Sequence, residues 1–134
     1  MTIELQKPAL DLGIITNNLE PMLAFYQDTL GLPLEAVIDM PGGGIMHRFK
    51  VGESVLKIVE TEPRPSVAAP PGGIRGATGL RYLTLHVTDL DAAVNAALAT
   101  GQELVVAQKT IRPGVTIAIV TDPDGNWVEL LHNS

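Results

Sequence analysis

Apolar residues near the start of the chain change from a strand-like to a helical spacing. The stretch after Ala9 has a continuous apolar character typical of a strand, and a helical pattern begins after Asn18. The apolar positions of this helix are Leu19, Met22, Leu23, Tyr26 and Leu30. Asn18 is expected to cap the helix and Gly31 to end it. The pattern therefore predicts a strand followed by a helix.

The same strand and helix pattern returns in the second half of the chain. Asp89 takes the capping position and Gly101 the terminating one. The apolar positions expected to face inward are Leu90, Val94, Ala97 and Leu98. Because the two caps, Asn18 and Asp89, are 71 residues apart, the chain is predicted to contain a repeat of about this length.

Three strand-like segments with turn residues between them follow each predicted helix. They span residues 35–39, 46–51 and 54–60 in the first half and 102–108, 115–121 and 126–131 in the second. The predicted fold class is α+β, with two βαβββ repeats forming a curved, mostly antiparallel sheet around a cavity. We expect a single domain over 1–134, with halves at about 8–60 and 80–132. The Pro- and Gly-rich segment 61–79 is predicted to be a flexible linker.

Strand parity predicts which side chains face the cavity, because successive side chains of a strand point to opposite faces. Those expected under the helices are Leu12, Ile14, Thr16, Leu56, Ile58, Leu83, Leu85, Val87, Val128 and Leu130. Those expected toward the cavity are Asp11, Gly13, Ile15, Val55, Lys57, Val59, Tyr82, Thr84, His86, Trp127, Glu129 and Leu131. Glu129 needs an explanation, since strand interiors disfavour Glu unless it faces water or has a function. The sequence does not determine whether His47 or Arg48 faces the cavity.

Charge and composition narrow the classes of partner. The net charge of −6 argues against nucleic-acid binding, which requires a basic face. No apolar run approaches the roughly 20 residues that span a bilayer, and the absence of cysteine excludes disulfides and thiolate metal sites. No secretory signal is recognisable, so a cytoplasmic location is expected. The expected partners are a small-molecule ligand or substrate and a second copy of the chain in a homodimer.

Three segments carry a resemblance to a known family. They are NNLEPMLAFYQDTLGL, HVTDLDAAV and DPDGNWVELL, which begin at Asn17, His86 and Asp122. In this order and spacing they resemble the vicinal oxygen chelate superfamily, which includes glyoxalase I, extradiol dioxygenases, methylmalonyl-CoA epimerase, and fosfomycin- and bleomycin-resistance proteins. The resemblance covers nearly the whole chain.

This resemblance also implies positions for one divalent metal ion, held by the first and last strands of each half. The corresponding positions carry Asp11, Lys57, Tyr82 and Glu129. Because an ammonium group is not a metal ligand and repels a cation, no metal cofactor is expected, and a metal held by Glu129 and Asp11 is disfavoured. We expect the Lys57 ammonium to lie between the carboxylates of Asp11 and Glu129 instead.

The favoured function is a glyoxalase-like enzyme with metal-independent proton-transfer chemistry, as an isomerase, epimerase, cyclase or lyase acting on an oxygen-rich substrate. The predicted catalytic residues are Glu129, Lys57, Tyr82 and His86, and the predicted substrate-binding residues are Asp11, Thr84, Trp127 and His47. One alternative is a non-catalytic protein that binds a small molecule or drug. Another is a metal-dependent glyoxalase or dioxygenase.

Overall fold

The chain folds into two compact units with the same order of strands and helices. The computed structural model describes residues 2–134. Unit 1 ends at Ser66, and unit 2 is Val67–Ser134. The border between them lies inside the segment that the sequence predicts to be a linker.

Unit 1 is an open four-stranded sheet with one helical segment. Its elements are β1 (Leu12–Ile15), α1 (Leu19–Leu23), which continues as a π-helix (Ala24–Thr29), β2 (Leu34–Asp39), β3 (Gly44–Val51) and β4 (Ser54–Thr61). The strand order is β1-β4-β3-β2. β1 runs parallel to β4, and the other two pairs are antiparallel.

Unit 2 repeats this arrangement after a short 3₁₀ helix. Its elements are the 3₁₀ helix (Gly73–Arg75), β5 (Tyr82–His86), α2 (Leu90–Ala99), β6 (Leu104–Arg112), β7 (Val115–Thr121) and β8 (Trp127–Asn133). The order is β5-β8-β7-β6, with a parallel β5/β8 pair. The predicted α+β class and the βαβββ repeats are confirmed, although the strands form two separate mixed sheets and not one.

The helix of unit 2 follows the sequence pattern with one exception. The Asp89 carboxylate accepts a hydrogen bond from the Ala92 N–H at 3.0 Å, which is the predicted N-cap. Leu90, Val94 and Ala97 are buried. Leu98 is 37% exposed, so its predicted inward position is wrong. It lies at the edge of the buried face, about 40° around the helix from Val94 and about 100° from Ala97.

The helix of unit 1 begins differently from the prediction. Asn18 occupies the N-cap position, but its side chain makes no capping hydrogen bond. Its backbone N–H instead donates to the hydroxyl of the buried Thr16 at 2.9 Å. Met22, Phe25 and Tyr26 are buried, so the sequence pattern missed Phe25 on this face. The helix ends before Gly31, as predicted; this residue has a φ of 74°.

The predicted alternation of side chains holds in the first and last strands of unit 2. Leu85, Val128 and Leu130 are buried, whereas Tyr82 and His86 are exposed.

Within residues 2–134 no helix is both long enough and apolar enough to span a bilayer. The cytoplasmic location stays a prediction.

Candidate functional site

Strand pairing in unit 2 places several polar and aromatic side chains on one face of the sheet. β5 and β8 pair residue by residue, and the Cα partners of Tyr82, Thr84 and His86 are Trp127, Glu129 and Leu131. Partnered residues of neighbouring strands point to the same face. We call this surface the Glu129 face, defined by Tyr82, Thr84, His86, Trp127, Glu129 and Leu131.

Glu129 is held in place by a neighbouring hydroxyl. The Thr84 Oγ1–H donates a hydrogen bond to Glu129 Oε1, with an oxygen to oxygen distance of 2.7 Å. Within residues 67–134 the second oxygen, Oε2, has no hydrogen-bond partner. One carboxylate oxygen is thus fixed and the other is available. Thr84 was predicted to bind substrate, but its hydroxyl hydrogen is used by Glu129.

An apolar cluster extends from Glu129 across the same face. Ile119 is the Cα partner of Glu129, and Ile117 is the partner of Leu131. These two isoleucines and Leu131 are buried together with Val115. Glu129 is half-buried beside this cluster, and the interaction of a carboxylate with a bound polar group strengthens as water is excluded. The arrangement suits a small ligand that has both apolar and oxygen-containing parts.

Tyr82 and His86 lie on either side of Thr84 along β5. Each is two residues away, or about 7 Å along the strand. Tyr82 is 52% exposed and His86 is also exposed, and neither side chain has a hydrogen-bond partner in unit 2. Their polar groups are therefore available to a molecule bound at Glu129.

The segment before β5 is anchored, in contrast to the predicted flexible linker. The Arg81 side chain donates from Nε to the Gly73 carbonyl at 2.7 Å and from Nη2 to the carbonyls of Pro70 and Pro71 at 2.8 and 3.2 Å. The Gly73 backbone packs against the indole of Trp127 so closely that a Cβ atom would collide with the ring. We call residues 70–76 the Arg81-anchored segment. It covers part of the Trp127 ring, which leaves less of that ring for a ligand.

Strand pairing in unit 1 shows which side chains of β3 share the sheet face of Lys57. Arg48 is the Cα partner of Lys57, and His47 is the partner of Ile58. His47 therefore lies on the opposite face from Lys57, and within residues 2–134 its buried Nδ1 has no hydrogen-bond partner. The predicted substrate-binding role of His47 loses its positional support. The sequence left Arg48 out of the candidate site, although it shares the sheet face of Lys57.

The ion pairs of unit 1 differ from the expected ones. Arg48 Nε lies 3.0 Å from Glu35 Oε1, and Lys50 Nζ lies 3.7 Å from Glu35 Oε2. The hydrogen bond from Arg48 lowers the pKa of Glu35 below its ordinary value. Within residues 2–66, Lys57 belongs to no ion pair, so the expected contact with Asp11 is not formed. The pairing with Glu129 stays a prediction.

Asp11 has a structural partner in the backbone. Its Oδ1 accepts a hydrogen bond from the Val55 N–H at 2.8 Å, which extends the pairing of β1 with β4. This bond lowers the pKa of the Asp11 carboxyl. Partial desolvation opposes the shift, and the charges of Lys7, Lys57 and Arg48 add to it. The substrate-binding role of Asp11 stays a prediction.

The residues at the positions implied for a metal do not fit a divalent ion. Lys57 offers an ammonium group, which has no lone pair for a metal. One oxygen of Asp11 is already used by the Val55 N–H. Across residues 2–134, no group of three or more His, Asp or Glu side chains is arranged to hold a metal.

The absence of suitable ligands leads to a prediction about metal content. Protein purified without chelator is expected to contain no stoichiometric zinc, manganese, iron, nickel or cobalt, because no group of three or more His, Asp or Glu side chains in residues 2–134 is arranged to hold one. Elemental mass spectrometry, before and after incubation with each ion and buffer exchange, measures this. One bound equivalent that disappears in Glu129→Gln would contradict the prediction and return Glu129 to a ligand role.

Comparison with known proteins identifies the family of the chain. A family model described as Glyoxalase/Bleomycin resistance protein/Dioxygenase superfamily matches residues 9–130. This match includes both repeats. A search of curated proteins finds no match.

Solved structures resemble the whole chain. A glyoxalase family protein from Bacillus cereus has a TM-score of 0.82 at 17% identity, with 99% of each chain covered. One from Enterococcus faecalis has a TM-score of 0.66 at 23% identity, with 96% of each chain covered. The trypanothione-dependent glyoxalase I of Leishmania major has a TM-score of 0.70 at 20% identity, covering 92% of this chain and 84% of that one. At these identities the likeness shows the fold alone.

Proposed function

The chain belongs to the glyoxalase/bleomycin resistance protein/dioxygenase superfamily, and we propose that it is an enzyme catalysing metal-independent proton transfer on a small oxygen-rich molecule. The reaction is an isomerisation, epimerisation, cyclisation or lyase reaction, since each can begin with removal of a proton next to a carbonyl group. The observation that carries the proposal is the carboxylate of Glu129, fixed by Thr84 on a partly apolar sheet face.

Glu129 is the proposed general base. A base must be held within hydrogen-bond reach of the proton that it removes, and the Thr84 hydroxyl restricts the carboxylate to one orientation. Because Thr84 uses Oε1, Oε2 is the oxygen that accepts the proton. Thr84 therefore acts as a positioning residue.

Tyr82 and His86 are the proposed hydrogen-bond donors to the substrate oxygen. Removal of a proton next to a carbonyl places negative charge on that oxygen, and a donor beside it stabilises the transition state. Both side chains share the face of Glu129 and have no partner in unit 2. The catalytic role predicted for Lys57, which lies in unit 1, is not needed for this proposal.

Binding of a large aromatic drug is less well supported. Such a ligand needs flat aromatic surfaces, and the chain has one Trp, two Tyr and two Phe. Part of the Trp127 ring is covered by Gly73, and both Phe25 and Tyr26 are buried. This leaves little stacking surface, so we favour the enzyme.

Deuterium exchange tests the proposed proton transfer without requiring the complete reaction to be known. The protein is incubated in heavy water with a panel of small α-oxo and α-hydroxy carbonyl compounds, and exchange at carbon is followed by proton NMR. Glu129→Gln is expected to lower the exchange rate by about 100-fold or more, since general base catalysis contributes roughly 10² to 10⁴. Thr84→Val should lower it by a smaller factor, and Thr84→Ser should preserve it.

The matched control for this experiment is Glu103→Gln. Glu103 is exposed in the same unit and precedes β6, two strands away from the β8 strand that carries Glu129. Its replacement removes the same charge at a distance from the proposed base. The proposal fails if wild type promotes no exchange in the panel, or if Glu129→Gln and Glu103→Gln exchange at the same rate.

We also propose that the protein is a homodimer. β2 is an edge strand, and its side chains Val37 and Ile38 are 46% and 44% exposed. An unpaired edge with exposed apolar side chains is stabilised when a second copy covers it. Light scattering at micromolar concentration should give about twice the chain mass of 14.2 kDa. A single species at the chain mass would refute the dimer.

A further inference from the structure

We infer that unit 1 binds a small oxyanion, the carboxylate or phosphate group of a ligand, on a row of residues that crosses its sheet. The row consists of Gly13 in β1, Lys57 in β4, Arg48 in β3 and Ala36 in β2. Each is the Cα partner of the next, so all four point to one face. We call it the Lys57 row. The inference goes beyond the proposed function, because every residue of the row lies in unit 1.

The shape of the row leaves space beside two cations. Lys57 and Arg48 occupy the two middle strands, and the smallest side chains stand at the two ends. A Cβ atom added to Gly13 would meet nothing within 4 Å. An anion can therefore lie over the Gly13 end of the row and still reach the Lys57 ammonium.

Both cations retain unused hydrogen-bond donors. Lys57 belongs to no ion pair within residues 2–66. Arg48 uses its Nε–H for Glu35, which leaves the four N–H groups of its two terminal nitrogens. A guanidinium group can donate two parallel hydrogen bonds to two oxygens of one anion, and an ammonium group adds a point charge.

The charges near the row favour an anion. Three of the nine Lys and Arg residues, Arg48, Lys50 and Lys57, share this face of a chain whose net charge is −6. The nearby carboxylates are Asp11 and Glu35. The first accepts the Val55 N–H, and the second pairs with Arg48 and Lys50. These three cations and two carboxylates give this part of the face a net charge of +1. A net positive charge attracts anions.

Protection of a sheet edge does not explain these cations. Lysine is often placed on edge strands, where it prevents pairing with other chains. In unit 1 the edges are β1 and β2, whereas Lys57 and Arg48 lie on the interior strands β4 and β3. Arg48 is accounted for in part by its ion pair with Glu35, whereas Lys57 has no such partner within residues 2–66 and is better explained by a ligand.

NMR titration of the full chain tests this inference. Sodium malonate and inorganic phosphate are added separately, with sodium chloride at matched ionic strength as the reference. We expect saturable shifts of the Gly13 and Lys57 amides and of the Arg48 Nε–H. Lys57→Gln should weaken binding about tenfold, as expected for loss of one charged hydrogen bond. Tighter binding of malonate would identify a carboxylate ligand, and tighter binding of inorganic phosphate would identify a phosphate ligand.

The control variant is Lys109→Gln, which removes the same charge from an exposed position on β6 of unit 2. It should bind both anions as wild type does. Arg48→Lys keeps the positive charge but removes the planar guanidinium group and its parallel N–H donors. It should weaken anion binding less than Lys57→Gln. The inference is overturned if the shifts grow linearly and match those in sodium chloride, or if the two glutamine variants bind equally.

Discussion

Replacing Leu85 by Ala is expected to lower the free energy of unfolding by about 2 to 5 kcal/mol, the usual cost of an unfilled cavity. Leu85 is 8% exposed and lies in β5 on the face opposite to Glu129. Truncation removes apolar contacts that neighbouring side chains cannot fully replace. Chemical denaturation with an unchanged m-value measures the effect.

The adjacent residue provides the control for this change. His86 is exposed on the Glu129 face, so His86→Ala should change the unfolding free energy by about 0.5 kcal/mol or less. It should, however, lower the rate of deuterium exchange into a bound substrate, because His86 is a proposed hydrogen-bond donor to the substrate oxygen. A large loss of stability in His86→Ala together with a small one in Leu85→Ala would mean that the faces of β5 are reversed.

Replacing Gly73 by Ala is expected to displace the Arg81-anchored segment from Trp127. Gly73 has a φ of 58°, a left-handed conformation that costs other residues about 1 to 2 kcal/mol. The added methyl group would also collide with the indole. Because Trp127 is the only Trp in the chain, its fluorescence reports this contact directly. We expect emission at longer wavelength and stronger quenching by acrylamide.

Gly79→Ala is the matched control for the collision. Gly79 also has a positive φ, 97°, but a Cβ atom there would meet nothing within 4 Å. This variant should therefore lower the free energy of unfolding, because alanine disfavours a positive φ, without a change in Trp127 fluorescence. If both alanine variants leave the emission unchanged, the packing of Gly73 on Trp127 does not persist in solution.

The strands and helices were predictable because their signals are local. Alternation along β5 and β8 reflects the period of a strand, so Leu85 and Glu129 could be assigned to opposite faces without knowledge of their neighbours. Asp89 was recognisable as a cap because its partner, Ala92, is three residues away. The family resemblance, confirmed over residues 9–130, added the order of these elements.

The parts of the candidate site that were missed depend on partners distant in sequence. β3 carries apolar and polar residues on both faces, so only its pairing with β4 shows that Arg48, and not His47, accompanies Lys57. The Thr84 bond to Glu129 joins residues 45 apart. Arg81 donates to the backbone carbonyls of a Pro- and Gly-rich segment, and no residue type in that segment signals such a contact.

The strand order of each unit has a consequence for how the chain folds as it is made. In both sheets the last strand along the chain lies in the interior, where β4 separates β1 from β3 and β8 separates β5 from β7. The parallel pair must therefore join segments more than 40 residues apart, a closure that slows folding. On a ribosome, β5 has no neighbouring strand until Trp127–Asn133 has emerged, so unit 2 can complete its sheet only when synthesis of that strand is finished.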